Sequence, residues 1–64
     1  MYFKMFWFYH LDPNLAVYIT NSEQFEYLLM RSREVIAQGN VIGFQIQRKS
    51  DGIILAQSKM VNNA

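Results

Sequence analysis

Residues 2–10 read Tyr-Phe-Lys-Met-Phe-Trp-Phe-Tyr-His, an aromatic-rich run with neither Gly nor Pro. Ring side chains lose rotamer freedom against the preceding turn of a helix but fit a pleated surface, so this run predicts a strand. Alternation along a strand sends Tyr2, Lys4, Phe6 and Phe8 to one side and Phe3, Met5, Trp7 and Tyr9 to the other. A strand with one solvated side would show polar residues at every second position. This one is apolar on both sides, so the fold must cover one side and leave the second for something else.

The rest of the chain supplies one cover. Leu11-Asp12-Pro13-Asn14 reads as a hairpin loop with Pro at the second turn position. Leu15 to Thr20 is a second strand whose Val17 and Ile19 would pair with Phe8 and Phe6. After Thr20 the apolar period lengthens to that of a helix. Phe25, Leu28, Leu29, Ser32 and Ile36 make one stripe with Val35 beside it, and Glu23, Gln24, Glu26, Arg31, Arg33, Glu34 and Gln38 make the polar complement. Thr20 with Glu23, or Asn21, is the expected N-cap, and Gly39 is the expected stop. Val41 to Lys49 alternates again, with Ile42, Phe44 and Ile46 on the apolar side. Ser50-Asp51-Gly52 fits a three-residue hairpin loop that pairs Arg48 with Ile54, Ile46 with Ala56 and Phe44 with Ser58. Ile53 to Met60 is the last strand, and 61–64 reads as a frayed end.

The expected architecture is α+β, a single domain over 1–64. It runs β-β-α-β-β, with a four-stranded, mostly antiparallel sheet and one amphipathic helix on one face. The hairpins meet either by a parallel pairing of the first and last strands or as a meander interrupted by the helix. The register of the first hairpin sets Phe6 and Phe8 beside Val17 and Ile19 and so under the helix. Phe3, Met5, Trp7, Tyr9 and Tyr18 are then expected on the uncovered face, as a partner or dimer interface. At roughly 25 cal/mol per Å², and about 150 to 250 Å² per aromatic side chain, covering three or four of them is worth on the order of 10 kcal/mol before entropic costs.

Size sharpens the expectation. A chain of 64 residues has little core, and chains this short usually rely on disulfides, a metal or self-association. With no Cys and a single His, the sequence offers no disulfide and no metal-ligand set, and no cofactor motif is present. Hydrophobic residues reach 52% and aromatics 16% against 17% charged, which leaves apolar surface for a partner. Two partner classes follow: a second copy of the chain, or a larger protein for which this one serves as a small inhibitor, adaptor or regulator, of the kind phages and mobile elements encode. Single-stranded nucleic acid stacked on sheet aromatics, with Lys4, Arg48 and Lys49 on phosphates, is the alternative. The net charge of +1 and the lack of a basic run weigh against it.

No enzyme is expected. His10 and Asp12 flank a turn, Glu23 and Glu26 suit a helix N-terminus, and the Gly39–Gly43 segment follows a helix rather than a strand, the wrong order for a phosphate cradle. The apolar start has a Lys within it and no small-residue cleavage site, so it reads as structure rather than a signal peptide, and a cytoplasmic setting is expected.

Overall fold

Short loops force antiparallel neighbours within each hairpin, whereas a helical crossover joins strands that run the same way. In the computed structural model, which describes residues 1–59, both rules operate. The elements are β1 (Phe3–Tyr9), β2 (Asp12–Ser22), α1 (Phe25–Ala37), β3 (Gly43–Arg48) and β4 (Ile54–Lys59). They form one antiparallel sheet in the order β2-β1-β3-β4. The expected α+β class and element order are therefore present. Met60 of the expected last strand and the expected frayed end at 61–64 lie outside the described residues.

The two hairpins meet differently from either expectation. β1 pairs with β3 antiparallel, from Phe3↔Arg48 to Phe8↔Gly43. β2, α1 and β3 thus form a crossover with β1 lodged between its two strands. A helix of 13 residues is about 20 Å long, enough to return the chain along the sheet and lie over β1 and β3.

The face of β1 beneath the helix is the reverse of the one expected. Phe3, Met5 and Trp7 point at α1, and Met5 is 1% exposed. The first hairpin carries a one-residue slip confined to Phe6 and Trp7, and the expected register returns at Met5↔Thr20. The chain turns at His10 and Leu11, so Tyr9 pairs with Asp12, and Pro13 falls inside β2 rather than in a loop. Two register shifts then set Phe6 opposite Tyr18 and Trp7 opposite Val17, instead of Phe8 opposite Val17 and Phe6 opposite Ile19. A slip of one exchanges the faces of a strand relative to its neighbour. Ile19 stays on the helix side as expected, and it is β1 that changes phase.

Hydrogen bonding supports the observed phase. Trp7 Nε1 donates to Ser32 Oγ at 3.1 Å, and the Ser32 hydroxyl donates to Met5 Sδ at 3.0 Å. Ser32 is fully buried, and it is the polar member of the helix stripe. An indole N–H under a helix needs an acceptor, and a buried hydroxyl needs partners. Each answers the other. Around them Met5, Leu28, Phe44 and Ile46 form the core, with Phe3 edge-on to Phe25 at 5.5 Å between ring centroids.

The helix begins without the expected cap. Thr20 and Asn21 belong to β2, and the first turn is steadied by Ser22 Oγ, which accepts the Gln24 N–H at 3.0 Å. The end is as expected. Gly39 adopts φ +81°, Gly39 N–H reaches Ile36 O and Asn40 N–H reaches Val35 O, a Schellman closure. In the second hairpin Ile46↔Ala56 and Phe44↔Ser58 match expectation. Arg48 N–H, however, bonds Ile53 O rather than setting Arg48 against Ile54, so the loop is one residue longer. A register shift between Ile46 and Gln47 absorbs the difference.

Candidate interaction surface

Among the described residues one helix and four strands are present, and one side of the sheet carries no layer of its own. Continuing the observed pairings outward identifies its occupants. Tyr2, Lys4, Phe6 and Phe8 come from β1 and the residue before it, Tyr18 and Asn21 from β2, Gln45 and Gln47 from β3, and Ile54, Gln57 and Lys59 from β4.

The rings are arranged in two groups. Phe6 and Tyr18 meet edge to face at 5.7 Å, and the Tyr18 hydroxyl accepts a bond from Asn21 Nδ2 at 3.0 Å, which fixes the ring over the sheet. Tyr18 nonetheless keeps 49% of its surface exposed. Tyr2 lies at one end, opposite Lys49 across a Lys49 N–H to Tyr2 O bond, with Lys49 Nζ 5.4 Å from the ring centroid. Phe8 lies at the other end under a roof. Lys59 Nζ is 5.0 Å from its centroid and donates to Asn14 Oδ1 at 3.2 Å, reaching from one edge strand to the other. That strap passes over Gly43, where any side chain would collide with β4. Phe8 is accordingly only 9% exposed.

Beside the rings, on β3 and β4, runs a row of amides. Gln47 Nε2 donates to Gln45 Oε1 at 2.6 Å, and Gln45 Nε2 lies 3.4 Å from Gln57 Oε1. Each amide offers both donor and acceptor to an incoming polar edge.

Among the described residues the charge on this face is of one sign. Lys4, Lys49 and Lys59 belong to it. The five carboxylates lie elsewhere: Glu26 and Glu34 on α1, Glu23 just before it, Asp12 opposite Tyr9 at the start of β2, and Asp51 in the β3–β4 loop. A net charge of +1 thus conceals a separation between a cationic sheet face and an acidic remainder.

The residues expected to form an interface are dispersed by this fold. Phe3, Met5 and Trp7 are under the helix, Tyr9 is at the end of β1, and Tyr18 stands on the open face with Phe6. Of the cations expected to meet phosphates, Lys4 and Lys49 are on the open face. Arg48 is engaged by Asp51 through three contacts of 2.6–3.1 Å, and this pairing holds the Asp51 carboxyl below its ordinary value. Lys59 was not expected. Its place follows from Gly43 across the ladder, which no periodicity reveals. His10, weighed as a catalytic residue, donates a ring N–H to Gly39 O at 3.2 Å and so ties the first turn to the end of the helix.

A shallow cleft runs between α1 and β4, lined by Leu29, Arg33, Ile36, Phe44, Ala56 and Ser58, because the helix sits over β1 and β3 and stops short of the edge strand. Among the described residues no three His, Cys, Asp or Glu side chains gather as a metal site, and no helix is long and apolar enough to cross a membrane. Comparison with protein families, curated proteins and solved structures finds no match.

Proposed function

We propose that the chain is a non-enzymatic interaction module, a small adaptor, inhibitor or regulator in the cytoplasm, that engages its partner through the open sheet face. One observation carries this reading: among the described residues, Tyr2, Phe6 and Tyr18 lie on a face that no helix covers, set among Lys4, Lys49 and Lys59 and without a side-chain carboxylate. Aromatic rings give large contact area at small entropic cost, and lysines of one sign select a partner of the other. Two copies meeting face to face would bring like charges together, so the partner on this face is a different molecule.

The test is a photo-crosslinking residue placed at Tyr18, compared with one at Met30, which is somewhat more exposed and lies on the helix. Adducts in a native extract should form from position 18 and vanish when Lys4 and Lys49 are both changed to Glu. Adducts of equal yield from position 30, or none from 18, would overturn the assignment of the face.

Self-association has its own observation and its own surface. The β2 edge carries Pro13 and two register shifts, features that block strand addition, whereas β4 is regular from Ala56 to Lys59 and displays Ile53, Ile54 and Leu55 beside it. Antiparallel pairing of β4 with β4 about a two-fold axis continues the sheet across both copies and leaves both open faces free on one side. Sedimentation at micromolar concentration should then give twice 7.6 kDa, and Leu55→Lys should return the monomer. A monomeric wild type would exclude this arrangement.

A further inference from the structure

We propose that the ligand of the open face is single-stranded nucleic acid, an inference that rests on the reading of that face as the working surface. Three features of its layout separate such a ligand from an acidic protein. The first is the direction of the charges. Lys49 is level with Tyr2, Lys4 stands two residues further along β1, and Lys59 is level with Phe8, so the three lysines are spaced along β1, with the Lys49 and Lys59 ammonium groups over the rings at its two ends. From Tyr2 to Phe8 a strand rises about 20 Å, room for roughly four nucleotides, the lower end of the site sizes of single-strand binders. A phosphate chain laid along β1 meets a cation at each end and one between.

The second is the state of the rings. Tyr18 and Tyr2 are about half exposed. Every base has a flat face that can stack on such a ring, while a base inside a duplex has none to offer. The third is the amide row of Gln45 and Gln47, one strand away from Phe6, with Gln57 one strand further on. Splayed bases present both donors and acceptors, which these amides match, whereas carboxylates of an acidic protein present acceptors alone.

Fluorescence anisotropy with a labelled oligothymidylate of about twelve nucleotides tests the inference against a duplex of the same length and an oligoglutamate. Three phosphate contacts on a single strand give a slope of log K on log salt of about −2, so a fourfold rise in salt should weaken binding about 20-fold. Phe6→Leu and Tyr18→Leu, which keep apolar bulk but remove the stacking plane, should each weaken it by about tenfold. Unchanged far-ultraviolet circular dichroism and Trp7 emission would show these variants to be folded, because Trp7 reports the helix side of the sheet.

Equal binding to the duplex, indifference to both leucine substitutions, or no binding at low salt would each overturn the inference. Binding of oligoglutamate in place of the oligonucleotide would overturn it as well. If the oligonucleotide fails while position 18 still gives protease-sensitive adducts, nucleic acid is excluded and the open face stands as a protein-binding surface. If position 18 gives none, both readings fall together.

Discussion

Ser32→Ala is the substitution that most directly probes how the sheet and helix recognise each other. Alanine has nearly the volume of serine and a higher helix propensity, so the change opens no cavity worth counting and does not weaken α1. What it removes is the acceptor for Trp7 Nε1 at 3.1 Å and the donor to Met5 Sδ at 3.0 Å. A buried donor left without an acceptor costs about 1–3 kcal/mol. Because Trp7 is only half-buried and water reaches part of it, the lower half of that range applies, about 1–2 kcal/mol. In a domain of this size each kcal/mol shifts Tm by roughly 4–8 °C, so a fall of roughly 5–15 °C is expected. Thermal and urea unfolding followed by circular dichroism would measure it. In a Trp7→Phe background the indole donor is already gone, and Ser32→Ala should then be close to neutral, giving a coupling of about 1 kcal/mol between the two positions. A neutral effect in the wild type, or an equal cost in both backgrounds, would refute the reasoning that this pair fixes which face of β1 the helix covers.

Gly43→Ala should cost more than its size suggests, since a Cβ there would stand 2.5 Å from the Ser58 carbonyl oxygen and 2.8 Å from Lys59 Cα, both backbone atoms of β4. Displacing the edge strand by overpacking is expected to cost about 1–3 kcal/mol and to raise amide exchange in β4 before β1 or β3. The Asp51 carboxyl is held below its ordinary 3.8, first by the hydrogen bond from Arg48 and then by the Ile53 N–H. Its folded pKa lies below its unfolded one, so its contribution to stability is present above the unfolded value and is lost as pH falls through the folded one. Carboxyl titration by NMR should place the Asp51 midpoint below the ordinary value of an aspartate, and Arg48→Gln should raise it.

The element order, the helix stripe, the Gly39 stop and the pairing of Ile46 with Ala56 were all legible in the residues, because each rests on local periodicity or on one glycine. The phase of β1 was not, because both of its faces are apolar and nothing within the strand chooses between them. The choice depends on whether Asp12-Pro13-Asn14 is turn or strand, and the hairpin instead closes at His10 and Leu11 and takes up the excess as register shifts. One signal does lie in the residues: Ser32 is a lone hydroxyl in an otherwise apolar stripe, and among the apolar residues of β1 only Trp7 carries a side-chain N–H to donate to it. Pairing those two polar atoms would have placed Trp7, and with it Phe3 and Met5, beneath the helix. The open face then follows as the remainder, with Tyr18 carried onto it beside Phe6. The Lys59 strap and the separation of charge depend on which strands are neighbours, so they appear only once β3 is set between β1 and β4.

Titrating the isotopically labelled protein with a short oligothymidylate, followed by amide NMR, addresses the claim that the open face is the working surface. The account predicts shifts at Lys4, Phe6, Tyr18 and Lys49 and in the side-chain amides of Gln45 and Gln47, with the Trp7 indole and α1 unmoved. Shifts confined to α1 and its cleft with β4, or a spectrum that does not change at low salt, would contradict it.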